Sequence, residues 1–268
     1  MHRWKSFVAI GDSFTEGLDD LTAPDGGYRG WADRFAERLD TRRPGLRYAN
    51  LAVRGKLLRQ IVAEQVPAAA AMSPGLISIA GGGNDILRPG ADPDVLAELF
   101  DAAVARLRAS GAQVLMFTGF DPVALPVLRL LRGRIGTYNM HLRGIADAHD
   151  CYLVDLWSMR FLRSAGAWSP DRLHLTAQSH QRVALRACEV LGVPVTEDWR
   201  APLAADPPQT AVDAVTRAVW LAARREDVRW AKQYLGPWIS RRLHGTSSGD
   251  GRTAKRPALE PVSPPVVW

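Results

Sequence analysis

Five short apolar runs recur along the first two-thirds of the chain, at residues 7–10, 47–51, 76–80, 114–118 and 152–156. They are too short for buried helices. Their apolar residues run together rather than alternate with polar ones, the mark of strands covered on both faces. Segments at 31–39, 57–70, 93–110, 125–148 and 177–191 separate or follow these runs and repeat at helical period. Strands alternating with amphipathic helices predict a parallel sheet with helices on either side, a three-layer α/β/α domain over about 1–195. In such a sheet ligands gather beyond the carboxyl ends of the strands. Ser13, Asn84 and Asp121 fall just past predicted strand ends.

Past Pro194 the pattern changes. Residues 196–210 are rich in proline and read as a surface linker. Residues 211–244 return to helical period and include Trp220, Trp230 and Trp238. Two readings of this extension stay open. Its helices could pack aromatic side chains onto the core, or present a basic, tryptophan-bearing surface to a membrane or a protein partner. The tail, 245–268, is dominated by Gly, Ser and Pro and is predicted to lack order.

Composition narrows the class. Of 268 residues, 47% are hydrophobic and 23% charged, the balance of a globular protein. No apolar stretch approaches the roughly 20 residues that span a bilayer. The first residues run straight into the first predicted strand without a secretory h-region, so a cytoplasmic protein is expected. The two cysteines, Cys151 and Cys188, fit buried free thiols rather than a disulfide framework or a zinc site. The net charge of +6 raises nucleic acid as a partner. Its arginines are scattered among acidic residues on predicted helices, however, without basic and aromatic interleaving, and no nucleic-acid partner is expected.

Four short motifs carry candidate chemistry. In "FVAIGDSFTEG" a strand ends on a glycine-flanked turn that presents Ser13, either as a plain helix cap or as a nucleophile that still needs a base. In "DRLHL", Asp171 and His174 stand three residues apart and can project to one side, so that the carboxylate fixes the imidazole as a proton acceptor. The alternative is a capped helix start. "GGGNDIL" follows the third strand without the Gly-Lys-Ser/Thr of a phosphate loop, which leaves the Asn84 amide as a candidate oxyanion donor. In "NLAVRGK", Gly55 could offer a backbone N–H or simply form a turn.

Taken together and in this order, Ser13 in "GDS", Gly55, Asn84 in "GGND" and His174 in "DRLH" resemble the SGNH (GDSL-type) hydrolase family. The stretches "YNMHLRGIADAHDCYLVDL" and "AQSHQRVALRA" resemble its last helix–strand segment and closing helix, so the likeness covers about 5–192. It implies a flavodoxin-like sheet of order 2-1-3-4-5 and serine ester chemistry without metal or cofactor. Ser13 would be the nucleophile, His174 the general base and then acid, and Asp171 its orienting partner. The backbone N–H groups of Ser13 and Gly55 and the Asn84 amide would form the oxyanion hole. An α/β-hydrolase elbow, Gly-x-Ser-x-Gly, would need glycine where Thr15 stands. Phe14 replaces the family's usual leucine and is expected to pack rather than react.

Substrate identity is less defined. Asp12, Asp121 and Trp168 are candidate substrate contacts, with strand termination or packing as their alternatives. The leading expectation is hydrolysis of small acyl esters or O-acylated sugars. An acyltransferase would use the same residues, and a non-catalytic binding module built on 211–244 is a third reading.

Overall fold

A computed structural model describes residues 4–20, 27–125, 128–203 and 247–262. Six strands form one sheet: β1 (Ser6–Ile10), β2 (Arg47–Asn50), β3 (Leu76–Ile79), β4 (Gln113–Phe117), β5 (Tyr152–Val154) and β6 (Arg256–Pro261). Their order is β5-β4-β3-β1-β2-β6. The first five are parallel, with Phe7 opposite both Tyr48 and Leu76, which is the 2-1-3-4-5 order expected.

Alternation along the strands divides the core in two. Phe7, Ala9, Leu115 and Phe117 point to the face covered by α2 (Trp31–Arg42) and α8 (Ala177–Val190). Val8, Ile10, Val114 and Met116 point to the other. That face is covered by α4 (Val66–Ala71), α6 (Pro93–Ala109) and α7 (Arg132–Ala148). The strands are apolar throughout because each face of the sheet is dry.

Two helices depart from the predicted bounds. The segment expected as one helix over 57–70 is α3 (Leu58–Gln60), a π-helical turn (Ile61–Gln65) and then α4. The wider turn lies beside Pro67, which has no N–H to continue an α-helical ladder. It also carries Gln65 to the end of β1. There the buried side-chain amide accepts from Gly11 N at 2.7 Å and donates to Gly11 O at 2.9 Å. The helix expected from 125 begins only at Arg132, because Leu125, preceding Pro126, is extended at φ −100° and ψ 107°.

The C-terminal region differs more. Residues 196–203, expected to be a surface linker, begin by docking on α8. Trp199 and Leu203 are buried, and the Arg182 guanidinium donates to the carbonyls of Trp199, Ala201 and Pro202. The predicted helical extension, 211–244, lies outside the described residues. The tail expected to lack order instead contributes β6, antiparallel to β2, with Tyr48 opposite Glu260 and Asn50 opposite Arg256. Arg47 donates to the Leu259 carbonyl at 2.6 Å, and the Arg256 guanidinium lies over the Tyr48 ring at 5.2 Å. An exposed edge strand tolerates Pro257 and Pro261 and needs no apolar alternation, so composition alone hid it.

Both cysteines are free, and burial pushes the Cys188 thiol up to about 12. No helix among the described residues is long and apolar enough to cross a membrane.

Replacing Gln65 with leucine keeps the volume but strands the buried Gly11 N–H. We expect the Gln65→Leu protein to lose about 1–3 kcal/mol of stability. Urea unfolding checks this; an unchanged midpoint would show that the amide clamp is dispensable.

Candidate active site

The site begins at the end of β1, where Gly11 passes so close to β3 that a Cβ would lie 2.6 Å from the Ala80 carbonyl and 2.7 Å from Thr15 Oγ1. Only glycine fits this crossing. The chain then turns at once: Asp12 caps α1 (Ser13–Glu16), its Oδ1 accepting from Phe14 N at 3.1 Å. Ser13 is therefore the first residue of a one-turn helix at the carboxyl edge of the central strand. Phe14 packs against Trp31 and Phe117, with ring centroids 5.6 and 5.5 Å away. It is a packing residue, as expected.

Beyond β3, Gly82 at φ +94° starts α5 (Gly83–Ile86), and a side chain there would strike the Tyr138 ring. This turn sets Asn84 toward Asp12. The Asn84 amide donates to Asp12 Oδ2 at 3.0 Å and to the Lys56 carbonyl at 3.2 Å. Its two N–H groups thus join the turn after β1 to the loop after β2, which carries Gly55.

Asp171 and His174 lie on a loop tied off by a Trp168–Leu175 bridge and by Ser169 N donating to the His174 carbonyl at 2.8 Å. Arg172 takes the left-handed conformation, φ 55°, to close it. Asp171 Oδ1 accepts from Leu173 N and His174 N at 2.9 and 3.0 Å, while Oδ2 meets His174 Nδ1 at 2.5 Å. Burial opposes ionisation of Asp171. The His174 hydrogen bond and charge, the Leu173 N–H and the Ser169 hydroxyl outweigh it and hold the carboxyl well below the usual range. With Nδ1 engaged, Nε2 is the ring nitrogen left to exchange a proton.

Ser13, Gly55, Asn84, Asp171 and His174 all line one cavity of about 310 Å³. Its lining is largely apolar and includes Phe120, Leu128, Ile135, Tyr138 and Trp168. Trp168 is a packing residue that also lines the cavity. Its indole donates to the Leu162 carbonyl at 2.9 Å and its ring packs on Phe120 while facing the cavity. Asp12 also lines the cavity, but its carboxylate is occupied by Phe14 N and the Asn84 amide, so it is a structural neighbour of Ser13 more than a free substrate contact. Burial pushes its carboxyl up to about 6, against the pull of the Phe14 N–H and of His174. Asp121 is not in the lining. It caps a 3-10 turn (Pro122–Ala124) and is held by Arg132 at 2.7 Å and Arg163 at 2.8 Å, which keep it below its ordinary range. The reading of Asp121 as a strand-end residue fits this geometry, and a substrate contact does not.

Several residues at the site escaped the sequence reading. Ser169 Oγ lies 2.7 Å from both Asp171 Oδ1 and Asp19 Oδ2, so a second carboxylate stands beside the imidazole. Glu16 and Arg54 form a buried ion pair next to Gly55, with Glu16 Oε2 also accepting from Arg54 N at 2.7 Å. His180 is a second histidine on the cavity, stacked near Phe14, and burial pushes it down to about 3, so it stays neutral. Glu16, Arg54 and His180 fall inside the quoted stretches, but what each of these residues meets is defined by which strand end or loop folds next to which.

This geometry has relatives. The model of the GDSL-like Lipase/Acylhydrolase family matches residues 9–182. Among curated proteins none matches. Among solved structures, TesA is 24% identical with a TM-score of 0.57 over 69% of this chain and 97% of its own. LAE5, an enzyme from the metagenome of Lake Arreo, Spain, is 22% identical with a TM-score of 0.60 over 70% and 95%. Axe2, an acetylxylan esterase from Geobacillus stearothermophilus, is 19% identical with a TM-score of 0.57 over 73% and 95%. The family match takes in β1 to β5 and the loop that holds Asp171 and His174, and by it the chain belongs to the GDSL-like lipase/acylhydrolase family of carboxylic ester hydrolases.

Proposed function

We propose that the chain hydrolyses esters of small molecules through a covalent acyl-Ser13 intermediate. The observation that carries this reading is the Asp171–His174 pair facing the same cavity as Ser13, Gly55 and Asn84. Ser13 Oγ attacks the acyl carbon as its proton passes to His174 Nε2, and the imidazolium is stabilised by Asp171. Collapse of the tetrahedral intermediate returns that proton to the departing alkoxide. Water then repeats the sequence on the acyl-enzyme and releases the acid. The developing oxyanion is received by the N–H groups of Ser13 and Gly55 and by the Asn84 amide, which exchanges one of its present acceptors for it. The apolar residues lining the cavity suit a small acyl group. Esters of simple alcohols and O-acylated sugars both fit this chemistry.

The test is the hydrolysis of p-nitrophenyl esters from acetate upward. Ser13→Ala should lower kcat by about 10³-fold or more, and Asp171→Asn, which presents the wrong partner to Nδ1, by at least about 10²-fold. Equal rates in wild type and Ser13→Ala would remove the serine mechanism.

Asp19, Asp171 and His174 place ligand-type atoms within 4.8 Å of one another. In the proposed mechanism Asp171 and His174 share a proton rather than a metal. Incubation with EDTA should accordingly leave the esterase rate unchanged, and a loss restored by added zinc would contradict the scheme.

Asp12 supplies a pH signature. Its raised carboxyl stabilises the fold fully below the ordinary value of 3.8, and that contribution disappears as pH rises through about 6. Ionised Asp12 thus costs on the order of 3 kcal/mol at neutral pH. The stability gained by Asp12→Asn, measured by urea unfolding, should be several-fold larger at pH 8 than at pH 4. A gap independent of pH would show that Asp12 is not buried in its charged form.

A further inference from the structure

The segment 247–262 lies beyond residue 182, where the family match ends, yet it reaches the active site. Direction explains how. β6 is antiparallel to β2, so its first residue, Arg256, stands opposite Asn50 at the carboxyl end of β2. The described residues just before Arg256 therefore lie over the carboxyl edge of the sheet, where Ser13, Gly55 and Asn84 are. The turn at 247–251 is among them. Ser247 and Ser248 line the same cavity as Ser13 and His174.

The contact with the oxyanion loop is close. A Cβ on Gly55 would lie 2.0 Å from Ser247 Oγ, and a Cβ on Gly249 would lie 1.9 Å from the Arg54 carbonyl. The Ser247 side chain packs on Gly55, and the Gly249 backbone packs on that of Arg54. Ser247 is pinned in turn, its N–H donating to Asp250 Oδ2 at 2.6 Å and its Oγ accepting from Gly249 N at 3.2 Å.

Lys255 anchors the segment. Its ammonium donates to the Glu16 carbonyl at 2.6 Å, the Tyr28 carbonyl at 2.9 Å and Asp33 Oδ2 at 2.5 Å, which uses all three of its hydrogens. Glu16 is the residue whose carboxylate holds Arg54, so the anchor and the turn grip the same loop from two sides.

We propose that this C-terminal strap forms the alcohol-side wall of the active site and selects esters whose alcohol portion carries hydroxyl groups. The inference rests on the ester hydrolysis proposed above. The residues lining the cavity differ in chemistry. Phe120, Leu128, Ile135 and Trp168 offer no hydrogen bonds to a polar group beyond the single committed indole N–H, and they suit an acyl chain. Ser247 and Ser248 bring hydroxyl-bearing side chains to the lining, with Ser247 Oγ against Gly55. A hydroxyl-bearing alcohol gains partners there that an alkyl alcohol cannot use.

The experiment holds the acyl group constant. Glycerol monoacetate and hexyl acetate give the same acetyl-enzyme, so the ratio of their kcat/KM values reports only the alcohol side. It is also independent of the fraction of enzyme folded. Wild type should prefer the glycerol ester. Ser248→Trp, which fills the strap wall, and Lys255→Met, which releases the anchor, should each lower that ratio at least fivefold. Ratios within twofold of wild type in both variants would overturn the role of the strap, even if both rates fell together, since a purely structural element lowers them equally. Failure of wild type to hydrolyse either acetate or any p-nitrophenyl ester would instead overturn the reading of the site itself, and the strap's role with it.

Discussion

The close passage of Gly11 against the end of β3 is the constraint on which the site depends. Three elements meet at this one residue. Gln65 clamps its N–H and C=O, Val53 N donates to the same carbonyl at 3.3 Å, and Ala80 N donates to the preceding Ile10 carbonyl at 3.3 Å. The ends of β1, β2 and β3 are thereby tied together. Asp12, Ser13, Gly55 and Asn84 lie within a few residues of the knot, so their relative positions are set by backbone hydrogen bonds together with the buried Gln65 amide and the Asn84–Asp12 hydrogen bond. Sites built in this way hold their geometry with little reorganisation when charge develops.

Such an arrangement carries an energetic cost that is visible next to Ser13. Asp12 is buried beside it with its carboxyl pushed up to about 6, because its two hydrogen bonds replace only part of the water it has lost. Glu16 and Arg54 are also buried, each almost fully, and satisfy one another. Buried ion pairs of this kind contribute little net stability and much definition. Here the definition falls on the turn that bears Gly55. The same region is the one that residues 247–251 cover, from a segment that lies beyond the span of the family match.

Sequence reasoning reached the architecture because it rests on local chemistry. Uninterrupted apolar runs such as 76–80 can be stable only between two helical layers, and the periodic segments between them supply those layers. Ser13 and Asn84 were recognisable since each stands at a strand end in a short motif, and Asp171 and His174 since they share a short motif whose loop geometry is largely built by its own neighbours. Gly55 was recognisable by order alone. Asp121 shows the limit of this kind of argument. Its place after β4 suggested a ligand contact, but Arg132 and Arg163 converge on it from distant parts of the chain and occupy both carboxylate oxygens.

What the sequence by itself determined is therefore the set of parallel strands, the layers that cover them and the reactive groups at their carboxyl ends, because hydrophobic period and short-range turns are local. Only the tertiary structure decided the π-turn that brings Gln65 to Gly11, the pairing of Glu16 with Arg54, the second carboxylate at Asp19 and the return of residues 247–262 to the active site. Each of these depends on contact between segments far apart in the chain. An exposed edge strand such as β6 is held by backbone ladder bonds and three contacts of one lysine, and neither leaves a periodic trace in the residues that make it.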